Sequence, residues 1–253
     1  MDRLLEATAR AERDHFWFRG FRRFVSPLLE AATGGRDNLT ILDCGCGTGH
    51  NLRLLRPFGG AFGIDITFSG LKYAASHGDR HVAQASAARL PFASGVFDLV
   101  TSFDVIYSLP DEIERSAVAE MFRVLKPGGH LVVNVAAMPV LRGSHSILSN
   151  EIRRYSRPDL RMTLDRAGFE VLRITYTNLT TLPLTAAVRF AQRFMGGHQE
   201  SAAEITVPPI AVNALLSGLL ALESLALKVT NMPAGSSLLA LARKPVNRKY
   251  STN

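Results

Sequence analysis

Residues 39–55 read Leu39-Thr40-Ile41-Leu42-Asp43-Cys44-Gly45-Cys46-Gly47-Thr48-Gly49-His50-Asn51-Leu52-Arg53-Leu54-Leu55, and this stretch decides the fold. Its apolar opening, Leu39 to Leu42, suits a strand buried in a parallel sheet. Three alternating glycines then permit a sharp turn and let a ligand approach without meeting a Cβ atom. The helical pattern that follows presents unpaired N–H groups and a partial positive charge at its start. A second strand end, Gly63-Ile64-Asp65-Ile66, supplies another acid. A carboxylate there can accept from both hydroxyls of a ribose, each bond contributing about 1.5–3 kcal/mol. The two segments together describe a pocket for a cofactor that carries adenosine.

The glycine spacing separates two cofactor classes. Dinucleotide sites use G-x-G-x-x-G, whose third glycine lets the helix pack closely on the strand. Here Gly45 and Gly47 fit, but the third position is His50 and the extra glycine falls at Gly49. Asp43 also stands where a pyrophosphate would sit, and a carboxylate repels phosphate while it favours a cationic ligand. A nicotinamide oxidoreductase is therefore disfavoured. Without a ligand, the turn would be a plain strand–helix connection, which leaves both acids unexplained. A metal reading of Cys44 and Cys46 also fails. They are the chain's two cysteines, so no further thiolate completes a site, and no metal is expected.

The pattern Asp-x-Gly-x-Gly-x-Gly resembles motif I of the class I S-adenosylmethionine-dependent methyltransferases. The resemblance continues through Asp65, Leu90-Pro91-Phe92, Val96-Phe97-Asp98-Leu99-Val100 and Phe122-Arg123-Val124-Leu125-Lys126-Pro127-Gly128-Gly129. It implies S-adenosyl-L-methionine as cofactor and a set of contacts. Gly45, Cys46 and Gly47 would approach the methionine part through their backbone, and Asp43 would favour its charge. Asp65 would hold the ribose, and Ile66 would pack on the adenine. Ala87 would offer its N–H to an adenine nitrogen, with Ser86 standing where many members have aspartate. Phe103, at the end of the fourth strand, and Trp17, from the N-terminal helix, complete the expected cofactor contacts. The outer segments resemble a type 11-like subgroup with an N-terminal His-Trp-Trp-Phe and a later Arg-Arg-Tyr. This chain has His15-Phe16-Trp17-Phe18 and Arg153-Arg154-Tyr155. Where that subgroup often has His-Asp and a second histidine, this chain has His145-Ser146 and Glu151.

From residue 38 onward, apolar strands alternate with helices, the sign of a doubly wound, mostly parallel α/β sheet. Seven strands are expected near 39–43, 60–65, 81–84, 97–103, 129–136, 169–177 and 236–243. Pro158 marks a helix start and Gly168 its end. A single Rossmann-like methyltransferase domain over residues 1–253 is expected, with residues 1–35 as a helical lid. Packing of that helix on the domain edge is the alternative to a lid. Two stretches, 137–157 and 178–234, exceed what the sheet needs and are expected on the substrate side. The second holds Ile210 to Val229, almost wholly apolar, with Asn213, Ser217, Ser224 and Lys228 on one narrow face. Glu223 and these polar positions argue against a transmembrane span, and the lack of a cationic face argues against an interfacial helix. A buried helix, a homodimer contact through 210–229, or the wall of a lipophilic pocket are the remaining readings.

The net charge of +7 permits contact with nucleic acid or anionic membranes without establishing either. Arg153, Arg154, Arg157, Arg161 and Arg166 form a local group suited to holding carboxylate or phosphate, or to a solvated face of local ion pairs. Cysteine usage fits a reducing compartment. The charged start Met1-Asp2-Arg3 lacks a signal peptide's apolar core, and a cytoplasmic location is expected.

Methyl transfer needs alignment of the acceptor and, for a hydroxyl, a general base. The candidates are His145, Asp104, Tyr107 and Tyr155, with Arg154 to orient an acidic substrate group. Pyrimidine carbon methylation needs a cysteine beside the acceptor, and both cysteines lie in the cofactor loop. Phe103-Asp104-Val105-Ile106-Tyr107 differs from the Asn/Asp-Pro-Pro-aromatic signature of adenine and glutamine nitrogen methylation. A small-molecule acceptor at oxygen, nitrogen or carbon, lipophilic or acidic, is the leading expectation, and nucleic acid the lesser one. A structured-RNA methyltransferase and a non-catalytic cofactor-binding protein are the alternatives.

Overall fold

Leu39–Cys44 forms β1 and Phe97–Phe103 forms β4, side by side at the centre of the sheet. Both are largely buried on each face, which is why neither shows a clean alternation of apolar and polar residues. In this computed structural model, residues 11–141, 151–187 and 207–246 are described. The other strands are β2 (Gly59–Asp65), β3 (Val82–Gln84), β5 (Leu125–Ala136), β6 (Glu170–Thr177) and β7 (Ser237–Arg243). They line up as β3-β2-β1-β4-β5-β7-β6 in one seven-stranded sheet. β7 runs antiparallel between β5 and β6, and the pairings among β1–β5 are parallel. β5 begins earlier than its sequence suggests. Leu125 already pairs with Phe97, so the Lys126–Gly129 turn is drawn into the strand as an irregularity in register.

Alternate residues feed two cores, as a period-two strand requires. Leu42, Val100 and Val133 face Ala117, Val118 and Met121 of α4 (Asp111–Val124) and Leu160 and Leu164 of α5 (Arg157–Arg166). Ile41, Leu99 and Val132 face Phe24, Val25, Leu28 and Leu29 of α1 (Phe16–Thr33). Two short helices, α2 (His50–Leu55) and α3 (Phe68–Ser76), follow the first two strands. Ser156 and Asp159 close a capping box at the start of α5, where the sequence placed a helix start.

The N-terminal aromatics resolve into separate jobs. His15 caps α1, its Nδ1 accepting from the Trp17 N–H at 3.2 Å. Trp17 stacks on Phe21 at 6.0 Å, and Phe21 meets Phe103 edge-on at 5.1 Å. The helix therefore reaches the sheet's carboxyl edge through one aromatic row.

The apolar stretch after residue 209 forms α6 (Ile210–Ala226), which packs along α1. Contact is close because Gly20 has no side chain; a Cβ there would lie 2.3 Å from Leu220 Cδ1. Asn213, Ser217, Glu223 and Ser224 face inward, so three of the four residues of the expected polar face are docked, and Lys228 is exposed past the helix end. Among the described residues, no helix is long and apolar enough to cross a membrane.

Candidate cofactor and acceptor site

Parallel register brings the sequence-predicted acids to one edge. Asp43 lies opposite Thr101 on β4 and opposite Gly63 on β2, while Asp65 ends β2 and Phe103 ends β4 opposite Asn134. This is the carboxyl edge beside the β1/β4 switch point, where ligands bind in such sheets.

The glycine turn is held from within. Gly45 and Cys46 both donate their N–H to Ile64 O, at 2.7 and 2.9 Å, and Gly47 donates to Asp65 Oδ2 at 2.8 Å. The amides of Gly45, Cys46 and Gly47 are thus spent on β2. Gly45 has φ +86°, and a Cβ on it would lie 2.2 Å from Val105 Cγ2. Gly47 has φ +49°, and a Cβ there would meet nothing within 4 Å. One glycine is needed for packing and the other opens onto free space. Gly49, with φ +80°, is the cap residue before α2, which explains a glycine one position earlier than a dinucleotide fingerprint has it.

Asp43 is buried, with Oδ1 accepting from Thr101 Oγ1 at 2.7 Å and Oδ2 left without a partner. Burial pushes its carboxyl up to about 7, the Thr101 bond opposes this, and the Asp65 charge adds to it. Asp65 is half-buried, and its other oxygen accepts from Thr67 N at 2.8 Å and Thr67 Oγ1 at 2.5 Å. Ile66 beside it is exposed, and the Ala87 N–H has no partner among the described residues. Ser86 is exposed, and its hydroxyl accepts from Ala88 N at 3.2 Å. Cys44 and Cys46 are free and buried, and burial followed by the Asp43 charge pushes both thiols up.

A strap from the N-terminal side crosses this turn. Thr48 Oγ1 lies 2.7 and 2.8 Å from the two carboxylate oxygens of Glu12. Arg22 Nη1 donates to His50 Nε2 at 2.7 Å, which requires a neutral His50. Burial, then the Arg22 charge, lowers His50 to about 4.

Across the edge, Asp104 follows β4 with φ +61°, an uncommon conformation for a residue other than glycine. Its Oδ1 accepts from Asn134 Nδ2 at 2.8 Å. Burial pushes this carboxyl up to about 7, the Asn134 bond lowers it, and the Glu151 charge raises it further. Tyr107 lies in the same electrostatic neighbourhood. Burial, then the charges of Asp104 and Glu151, pushes its phenol well up, so it stays a donor rather than a base.

The remaining acceptor-side residues are corrected or fall outside view. Tyr155 is buried in the core, and its hydroxyl donates to Glu114 of α4. Arg154 is not open to an acidic substrate. It grips both oxygens of Glu151, at 2.6 and 2.8 Å, and donates to Ala137 O at 2.9 Å. Arg153 is likewise paired, with Asp111 at 2.5 Å and Glu114 at 2.7 Å, and Arg157 donates to Met232 O. Arg153, Arg154 and Arg157 are thus held within the fold, while Arg161 and Arg166 are exposed. His145 lies outside the described residues.

Residues 42–133 match the family described as "Methyltransferase domain". The ubiquinone/menaquinone biosynthesis C-methyltransferase UbiE of Vibrio cholerae is 30% identical over 198 residues, 64% of this chain and 75% of that one. The chain belongs to the class I S-adenosylmethionine-dependent methyltransferases. A demethylmenaquinone methyltransferase of Corynebacterium urealyticum is 33% identical over 143 residues, 56% of this chain and 57% of that one. An S-adenosylmethionine-dependent methyltransferase of Thermotoga maritima shares the fold, with a TM-score of 0.60 and 18% identity over 96% of this chain and 97% of that one.

S-adenosylmethionine is the cofactor of this methyltransferase, and the residues present fit it. The unpartnered Asp43 oxygen suits a cation, and the turn with its amides spent offers carbonyl acceptors rather than anion-binding donors. Sequence reasoning missed Thr101, Asn134, Val105 and Glu12. Thr101 and Asn134 had a signal: each is a polar residue among apolar neighbours in a central strand.

Proposed function

We propose that this methyltransferase acts on a lipophilic small molecule bearing an ionisable hydroxyl, methylating that oxygen or a ring carbon activated by it. Asp104 is the general base in this reading, and the observation that carries it is its placement. It stands at the carboxyl edge in a strained backbone conformation, one oxygen fixed by Asn134, with an affinity for protons near neutrality. A base is most effective when its pKa lies near the working pH, and strain held by its surroundings clusters at functional sites.

Asp43, the Gly45–Gly47 turn, Asp65, Ile66 and the Ala87 N–H would hold the cofactor, with Trp17 and Phe103 beside it. When bound, it supplies an electrophilic methyl group on a sulfonium. Asp104 takes the hydroxyl proton of the acceptor, and Tyr107, kept protonated, donates to the acceptor and orients it. Phe103 and Phe21 give the pocket an apolar wall, and the Glu12–Thr48 strap excludes water. With Arg154 committed to Glu151, an acidic acceptor loses its support. Both curated relatives are named for quinone chemistry, which favours the lipophilic class. A reducing, cytoplasmic setting agrees with the two free thiols inside the cofactor loop.

The test incubates the enzyme with methyl-labelled S-adenosylmethionine and extract from its native organism. Label should enter the organic-soluble fraction and be lost with Asp104→Asn. Label confined to RNA or to water-soluble acids would overturn the reading.

A further inference from the structure

The outer side of α6 is unusual for a surface helix. Exposure is 91% at Ile210, 65% at Leu215, 66% at Leu222 and 87% at Val229. Leu215 and Leu222 are seven residues apart and Leu225 adds to the same side, so the ridge runs along the helix, and Val229 follows in the turn past its end. A helix of this length spans about 25 Å. The polar residues of the helix lie on the other side. Asn213 accepts from Phe16 N and donates to Asp14 O, both at 2.8 Å. Glu223 accepts from the backbone N–H groups of Leu179 and Thr180, at 3.0 and 2.9 Å. That is the one charged residue of the helix, and it is turned inward.

A contiguous apolar ridge of this kind marks a contact surface. Two features choose between a second copy and a lipid surface. Positions flanking the ridge, Val212, Ala214, Leu219, Ala221 and Ala226, carry no charge, so nothing on the helix sets partner or register as a helix–helix seam requires. Each copy also carries a net charge of +7, which opposes self-association and favours an anionic surface. The cations that a lone interfacial helix would carry come here from its neighbours. Arg19 is exposed on the border of the α1 face that meets α6, one turn before Arg23, which donates to Ser217 O at 3.0 Å. Lys228 is exposed at the far end.

We infer that the outer face of α6 docks this enzyme onto an anionic phospholipid surface, lying in the interface rather than spanning it. Apolar burial holds it there, and Arg19 and Lys228 select anionic headgroups. The same helix pair joins that surface to the catalytic edge, because α1 carries Phe21 against Phe103.

The test is flotation of the full-length protein with vesicles of phosphatidylcholine and phosphatidylglycerol in equal parts, against phosphatidylcholine alone. Binding should favour the mixed vesicles, and Arg19→Gln with Lys228→Gln should remove that preference. Leu215→Gln with Leu222→Gln should lower partitioning about tenfold or more, with S-adenosylhomocysteine affinity unchanged as proof of an intact fold. Leu222→Cys carrying an environment-sensitive fluorophore should shift to the blue on the mixed vesicles. Failure to float at low salt overturns the inference, as does floating that the leucine pair leaves unchanged. A lipid-free dimer that the leucine pair dissociates would give the face to a second copy. A fluorophore already shielded without lipid would give it to the chain itself.

Discussion

Asp104 and Asn134 are tied twice across the β4–β5 step: the Asn134 amide donates to Asp104 Oδ1 at 2.8 Å, and the Asp104 N–H donates to Asn134 O at 3.0 Å. The side-chain bond holds the carboxylate in place and lowers its proton affinity against the larger effect of burial. With Asp104 as base, kcat/KM rises with pH through about 7, where the carboxyl loses its proton. Asp104→Asn should cost about a hundredfold or more in kcat. Asn134→Ala removes the bond that favours the charged form, so the acidic limb of the pH–rate profile should move to higher pH. A limb that stays in place in that variant would separate Asn134 from the base.

Asp65, proposed as the ribose acid, also holds Gly47 N and Thr67. Asp65→Ala should therefore weaken S-adenosylhomocysteine binding by about a hundredfold or more, the loss of two charge-assisted hydrogen bonds, and lower Tm as well. Thr67→Ala loosens the same carboxylate without deleting it and should cost far less affinity. Calorimetric titration of the two variants distinguishes a ligand contact from a loop prop. Equal, small losses would remove Asp65 from the ribose.

The sheet that frames the glycine turn was legible because its signals are local. Glycine positions, strand-end acids and apolar runs each constrain neighbouring residues, and the seven expected strands match the sheet to within a few residues. The acceptor half depended on contacts that sequence spacing does not encode. Residues 151–156 are not helical, so no periodicity links Glu151 to Arg154 or turns Tyr155 toward Glu114. Of the polar stripe expected in the 210–229 segment, Asn213, Ser217 and Ser224 are inside, while Lys228 is exposed past the helix end. Only the tertiary fold shows that Asn213 and Glu223 point inward and leave the leucines outside.

Gly45 and Gly47 should respond differently to alanine. Gly45→Ala drives a Cβ into Val105 and strains a backbone at φ +86°, so its main cost is stability, about 2 kcal/mol or more. Gly47→Ala meets no atom, and its backbone lies in the left-handed region that alanine enters at about 1–2 kcal/mol. Its Cβ instead projects into the cofactor space, so affinity should fall more than Tm. Adding Val105→Ala should restore part of the Tm of Gly45→Ala and nothing to Gly47→Ala. Thermal melts with and without S-adenosylhomocysteine read both effects, and parallel behaviour of the two variants would refute the division of roles.

Asp43 couples pH to both stability and binding. Its pKa in the folded protein, about 7, lies above its unfolded value of about 4, so the ligand-free fold holds a proton that the unfolded chain has released. The stabilisation relative to an ionised carboxyl is fully present below about pH 4 and is lost as pH rises through about 7. The Tm difference between Asp43→Asn and the parent should accordingly move in favour of the variant from pH 5 to pH 8, on the order of a few kcal/mol in stability. Other titrating groups, including His50, cancel in that difference. A cationic ligand beside Asp43 favours the carboxylate, so cofactor binding near pH 6.5 should release a proton. Calorimetry in buffers of differing ionisation enthalpy measures that release directly. In Asp43→Asn the release should vanish, and a parent that releases none would place the cofactor's charge elsewhere.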